Sequence, residues 1–221
     1  GANGGPDAGD GDPPAEPSGG GPAGTAEATQ ARPDGNAPPA AFGTLGPSFA
    51  ALLGWAGRRA WAGALLILAV AFLALAPGTA SLPVTDRDEA RFAQATKQML
   101  ETGDYVDIRF QDRPRWKKPA GIYWLQAASA SAFGGPEAPI WAYRLPSLAG
   151  AVLAALLLAW AARPVLGGAA ALLAALMLAG TLLLAAESTI AKTDAVLLAT
   201  AVAVLGALAR LMPGADPPGR A

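Results

Sequence analysis

Cysteine and histidine are both missing from the 221 residues. Without cysteine there is no disulfide and no thiol nucleophile; without histidine there is no Ser-His-Asp triad and none of the usual zinc-ligand sets. Acid–base and ionic chemistry therefore falls to Asp, Glu, Lys, Arg and Tyr. Charge is also scarce, at 15% of residues, and the net value of −1 offers nucleic acid nothing to bind. No metal ligand is assigned; a divalent ion would need carboxylates alone or ligands from a part of the protein beyond this chain. Hydrophobic residues make up 52% of the chain, and they fall in long windows almost free of charge, so the first distinction to draw is membrane against soluble.

The apolar windows suggest where a bilayer is crossed. Ala60–Thr85 runs 26 residues without a charge directly after Arg58 and Arg59, enough for a hydrocarbon core of about 30 Å. The Arg pair puts the N-terminal side in the cytoplasm, and Pro77 marks the far end. Leu145–Ala162, Pro164–Ala186 and Ala195–Ala209 follow, with 18, 23 and 15 uncharged residues. Ala120–Gly135 is ambiguous: its 16 residues reach only about 24 Å as a helix, Gln126, Ser129 and Ser131 interrupt it, and Tyr123 and Trp124 resemble interface anchors. If it lies in the interface, Arg58/Arg59, Arg163 and Arg210 all fall inside; if it crosses, Arg163 and Arg210 fall outside, which fits the positive-inside bias less well.

The expected fold is therefore an all-α polytopic membrane protein with about four transmembrane helices plus amphipathic interfacial helices. The spans are placed at about 60–82, 145–162, 164–186 and 195–212, with an outer loop at 83–144. The last span is short unless it extends to Met212 with Arg210 snorkelling. Residues 1–57 read as a disordered Gly/Pro/Ala-rich cytoplasmic tail, with 10 Gly and 8 Pro in the first 40 positions, although Pro47–Gly57 has the makings of a short interfacial helix. Residues 213–221 form a short cytoplasmic tail. The chain starts at Gly1 without an initiator Met, and a fragment or processed form of something longer is expected.

The outer loop is where the charge collects. Thr85–Pro119 holds seven acids and eight bases. Thr85 with Asp88 three residues on reads as a variant capping box, Phe92, Ala95 and Met99 repeat at helical spacing, and Gly103 suits a C-cap, so Asp88–Thr102 is predicted to be an amphipathic helix on the membrane surface. Asp88 and Arg91 share a face of it. Asp88 and Glu89 are either functional or simply favoured by the helix dipole. Lys117 and Lys118, before Pro119, and Arg144, before Leu145-Pro146-Ser147, either bind an anionic headgroup or phosphate or snorkel beside lipid. Lys192-Thr193-Asp194 interrupts an apolar stretch, and Asp194 at the head of a span needs a partner or a polar cavity; Glu187 is a weaker candidate of the same kind. The chosen topology puts Asp194 on the same membrane face as the charged loop.

DRDEARFAQATKQMLETGDY, KKPAGIYWL, RLPS and AKTDAVLL, in that order and spacing, resemble the N-terminal part of a bacterial integral-membrane glycosyltransferase family, that of the lipid A aminoarabinose transferases and protein O-mannosyltransferase relatives (glycosyltransferase family 39, GT-C fold). The resemblance covers roughly Leu65 to Leu211. It implies transfer of a sugar from a polyprenyl-phosphate donor to a glycolipid or protein acceptor at the outer face of the inner membrane, with membrane lipid as surroundings and no cofactor assigned. It implies that Asp88 is the essential acid of the first outer loop, that Arg91 and Lys118 hold the donor phosphate, and that Asp194 is a second, supporting acid. Glu89, Lys117, Arg144 and Lys192 are possible supports. The extra Asp86 and Arg87 receive no role. Family members have many more spans, so this chain is expected to be a fragment of the full enzyme.

The implied mechanism is an inverting single displacement. An Asp with an ordinary pKa near 4 is a weak base, so stabilisation of the leaving phosphate by Arg91 and Lys118 is expected to be the larger effect. The absence of a nucleotide-binding glycine loop suits a lipid-linked donor. A transporter or lipid flippase subunit is the competing reading, with Asp194 binding an ion, but the charges cluster in one loop rather than in mid-span. A scaffold that binds partners through its acidic tail is a third, separable by removing residues 1–57.

Overall fold

A computed structural model describes residues 46–84 and 86–211. The expectations for residues 1–45, for Thr85 and for the tail 213–221 lie outside the described residues. Eight α-helices follow one another: α1 Pro47–Arg58, α2 Ala60–Leu75, α3 Arg87–Thr102, α4 Gly121–Ala132, α5 Ile140–Leu166, α6 Gly168–Ala179, α7 Leu182–Ser188 and α8 Asp194–Leu211. A two-stranded hairpin, β1 Arg109–Phe110 and β2 Arg113–Pro114, lies between α3 and α4.

The protein is an all-α polytopic membrane protein. By length and composition α5 and α8 can each cross a bilayer, and up to four crossings result if the bent pairs α1–α2 (120°) and α6–α7 (61°) each make one. Residues 47–57, placed in the disordered tail by composition, belong to α1, which turns sharply at Arg59 and packs its buried Leu53, Ala56 and Gly57 inward. The helix expected from Ala60 stops at Leu75: Ala76 keeps helical dihedrals and bonds the Phe72 carbonyl, but Pro77 has no N–H with which to continue the ladder. Residues 76–84 continue as turns and irregular chain. α5 starts before Arg144 and continues past Arg163, so both arginines sit inside a helix rather than in loops. α4, at 12 residues, is too short to cross.

Small residues let the helices meet. Alanines dominate the buried contacts among α2, α5, α6 and α8, among them Ala71, Ala151, Ala155, Ala175 and Ala195. A Cβ on Gly57 would fall 2.6 Å from the Ala169 nitrogen, and one on Gly150 would fall 2.9 Å from the Val196 Cα. Close backbone approach of this kind drives helix association where lipid removes the hydrophobic incentive. Outward-facing Phe72 and Leu73, 65% and 75% exposed, are left for lipid rather than for water.

α5 carries two prolines, Pro146 and Pro164, and each removes the N–H that would bond four residues back. The freed carbonyls are those of Ala142 and Trp160. Ser129 of α4 donates its hydroxyl to the first at 2.6 Å, and Arg210 of α8 donates Nη2 to the second at 2.5 Å. An unpaired carbonyl in hydrocarbon costs several kcal/mol, at roughly the scale of 2 to 7, so these neighbours relieve what the prolines would otherwise impose. The Arg210 guanidinium lies 3.7 Å from the Trp160 ring centre.

Candidate active cleft

α3 forms where its pattern predicts, from one residue earlier. Asp86 caps it, its Oδ1 accepting the Asp88 N–H at 2.6 Å, which gives Asp86 a structural role that the sequence reading could not assign. Gly103, at φ 70°, closes the helix with its N–H on the Met99 carbonyl. Phe92, Ala95 and Met99 are buried against Ile122, Tyr123 and Ala127 of α4, so α3 rests on α4 by a small core of its own. Phe92 stacks on Tyr123 with ring centres 5.3 Å apart.

The chain beyond α3 is tied down by side chains. The Asp104 carboxylate accepts from the backbone N–H of Val106 and Asp107, and those two bonds hold its pKa below the ordinary value. Trp124 donates its indole N–H to the Tyr105 carbonyl. The hairpin then turns through Gln111 and Asp112, with Gln111 at φ 56°, an unusual conformation for a residue with a side chain. Gln98 of α3 clasps it from both sides: Nε2 donates to the Gln111 carbonyl (3.0 Å) and Oε1 accepts the Gln111 N–H (2.9 Å).

Between α3, the hairpin and the 115–118 segment lies an open polar cleft of about 640 Å³. Asp88 and Arg91 line it from α3, Lys117 and Lys118 from the segment before α4, and Asp112, Arg113 and Arg115 from the hairpin. Four residues singled out from sequence, Asp88, Arg91, Lys117 and Lys118, thus share one cleft. Arg91 Nη1 lies 3.2 Å from Asp88 Oδ1. The sequence reading missed the hairpin arginines. The signal was present in Arg113-Pro114-Arg115, since residues two apart in an extended strand face the same side. Burial pushes the Tyr123 phenol up while Arg115, donating Nε to it at 2.8 Å, pulls it down.

Glu89 and Arg144 do not line this cleft. They lie beneath it, each 1% exposed, as a bidentate pair with Nε–Oε1 at 2.6 Å and Nη2–Oε2 at 3.1 Å. Arg144 spends its remaining donors on the carbonyls of Thr79, Leu82 and Pro83, and Glu89 Oε1 also accepts the Ala191 N–H at 3.0 Å. All five N–H groups of the guanidinium are engaged. One pair therefore fastens α3, α5, the turn after α2 and the loop before α8.

Asp194 and Lys192 do not line the cleft either. Lys192 Nζ lies 2.7 Å from Asp86 Oδ2, so the loop before α8 is fastened to the cap of α3. Asp194 lies in the first turn of α8. The hydrogen bond from Lys192 lowers the Asp86 pKa, the Asp88 N–H adding to it. A depressed carboxylate contributes stability that is present above its unfolded pKa, about 3.9, and lost as pH falls through the lower folded value. Lys192→Met is therefore expected to move acid unfolding to higher pH. Thermal melts of wild type and variant from pH 3 to 6 check this; coincident acid limbs would remove Lys192 as the cause.

Residues 117–214 match the family described as dolichyl-phosphate-mannose-protein mannosyltransferase. That match takes in Lys117, Lys118, Arg144, Lys192 and Asp194 and leaves out Asp88, Glu89 and Arg91. An undecaprenyl phosphate-alpha-4-amino-4-deoxy-L-arabinose arabinosyl transferase 2 of Pseudomonas fluorescens is 36% identical over 100 residues, 44% of this chain and 17% of that protein. Arabinosyl transferases of the same description from Aeromonas salmonicida and Yersinia pestis are 35% identical over 78 and 86 residues, covering 14% and 15% of their own lengths. The aligned part is thus 17% or less of the length of these relatives. No solved structure matches the chain. Over part of its length the chain is thus similar to bacterial arabinosyl transferases and to the mannosyltransferase family.

Proposed function

We propose that the chain carries the first outer loop of a polyprenyl-phosphate-dependent sugar transferase of a bacterial inner membrane, with its N-terminus cytoplasmic and the cleft periplasmic. The acceptor class is a glycolipid, lipid A included, or a protein. The observation that carries this reading is the cleft itself, in which one carboxylate of α3, Asp88, stands among the cations Arg91, Lys117 and Lys118. The names of the relatives add lipid phosphates as donors: undecaprenyl phosphate in the arabinosyl transferases and dolichyl phosphate in the mannosyl family.

In the proposed reaction an acceptor hydroxyl attacks the anomeric carbon while the bond from that carbon to the phosphate oxygen breaks. Polyprenyl phosphate leaves with the electron pair, the sugar inverts, and the hydroxyl proton goes to Asp88. Arg91 and Lys118, with Lys117 beside them, stabilise the phosphate as its charge grows; fixed charges aimed at a leaving group supply the largest share of such catalysis. Asp194 supports Asp88 at a remove, through Lys192 and Asp86. Glu89 and Arg144 hold the loop against the bundle and so position Asp88 without touching substrate.

The test is transfer of labelled sugar by the full-length parent protein in membranes, offered a pool of polyprenyl-phosphate donors and, separately, nucleotide sugars. Label is expected to pass from the lipid-linked pool alone. If nothing is transferred from a broad donor pool, the transporter reading takes precedence.

A further inference from the structure

Arg115 differs from the other cations of the cleft in how it is held. Its backbone N–H bonds the Ile108 carbonyl at 2.8 Å, continuing the hairpin pairing, and its side chain is half-buried. Nε donates to the Tyr123 hydroxyl at 2.8 Å, and the guanidinium lies 5.0 Å from the Phe92 ring centre and 6.0 Å from that of Phe110. A planar guanidinium laid on an aromatic face and anchored through Nε has its remaining edge fixed in direction. That edge carries Nη1 and Nη2, and among the described residues neither donates to a protein group, although the residue lines the cleft. Arg91, by contrast, already spends a nitrogen on Asp88, and Lys117 and Lys118 are exposed on flexible stems.

We propose that Arg115 is a further phosphate ligand of this cleft, oriented by Tyr123, Phe92 and Phe110 so that its two terminal nitrogens close as a fork on two non-bridging oxygens of a phosphate ester. The proposal rests on the reading of the cleft as the donor site and adds the residue that aims the phosphate. Two parallel charge-assisted bonds from a pre-oriented fork fix the orientation of a phosphate, which a lysine point charge does not. The hairpin, fastened to α3 through Gln98 and Gln111, is then one wall of the donor site.

The test uses the full chain in phosphatidylcholine nanodiscs, titrated with farnesyl phosphate, with farnesol as the probe lacking phosphate and phosphatidylglycerol as the ordinary anionic lipid. Wild type is expected to bind farnesyl phosphate more tightly than either. Arg115→Met keeps the length and the apolar contacts and is expected to weaken farnesyl phosphate about a hundredfold, about tenfold for each of the two charge-assisted bonds lost, without changing farnesol binding. Arg115→Lys is expected to recover only part of the affinity, and Tyr123→Phe, which leaves the charge but frees its direction, to lose about threefold. If Arg115→Met binds farnesyl phosphate within twofold of wild type while Arg91→Met is weakened, the donor reading stands and Arg115 is merely packing. If wild type does not prefer farnesyl phosphate to farnesol, the donor reading falls and this proposal with it. If phosphatidylglycerol binds as tightly and is equally lost in Arg115→Met, Arg115 is a phosphate ligand of a general anionic-lipid site and the donor reading falls alone.

Discussion

Arg144→Met is expected to destabilise the loop-bearing end of the protein by about 3–5 kcal/mol, the range for breaking a buried pair from one side. The reason lies in what is left behind. Glu89 would be left at 1% exposure with only the Ala191 N–H against it, and the carbonyls of Thr79, Leu82 and Pro83 would lose their donor together. Arg144→Lys keeps the charge, but three rotatable donors on one nitrogen do not reproduce five in a plane, so most of the loss should persist. The double variant Glu89→Gln with Arg144→Met removes the stranded acid and is expected to be more stable than Arg144→Met alone. Thermal unfolding in detergent, read as a double-mutant cycle, measures that difference. Additive losses would show that the three carbonyls, not the ion pair, set the stability.

Asp88→Asn should lower sugar transfer by about 10²- to 10⁴-fold, the usual range for losing a positioned general base. The fold should barely notice. Asp88 and Arg91 are 52% and 38% exposed, and an exposed pair of this kind contributes about 0–1 kcal/mol. The kinetic signature should be a fall in kcat with KM for the lipid donor unchanged or lower, because removing the carboxylate leaves the surrounding cations freer to attract phosphate. Labelled-sugar transfer by the full-length parent at matched expression, with donor concentration varied, separates the cases. Transfer that survives reduces Asp88 to a residue that suits the α3 dipole. A raised KM with unchanged kcat instead makes Asp88 the organiser of Arg91.

Local patterns that repeat were legible in the sequence, and pairings across distance were not. The spacing of Phe92, Ala95 and Met99 and the glycine at 103 are local and predict α3 almost to its ends. The family resemblance, rather than the charge pattern, joins Asp88, Arg91 and Lys118, with Lys117 as a possible support, and all four line the cleft. The partner of Glu89 lies 55 residues away, and helix-dipole arguments account for an acid at that position without it. The hairpin depends on a positive φ at Gln111, where no glycine or asparagine advertises a turn, and a side chain thirteen residues earlier is what holds it. Apolar windows also overrun their helices. The window that begins at Ala60 extends ten residues past the end of α2, because carbonyls held by a buried arginine need no helix to satisfy them.

The two proline notches of α5 bear on the order in which the protein is made. Ser129 is synthesised before Ala142, so the upper notch can close as α5 leaves the ribosome. The Trp160 carbonyl must wait for Arg210, near the end of α8, and until then the lower third of α5 remains a helix with an open backbone site inside or beside lipid. That half-finished helix is free to bend, and a nascent chain interrupted before α8 would present it to membrane quality control. Arrival of α8 is thus the step that commits α5 to its final path.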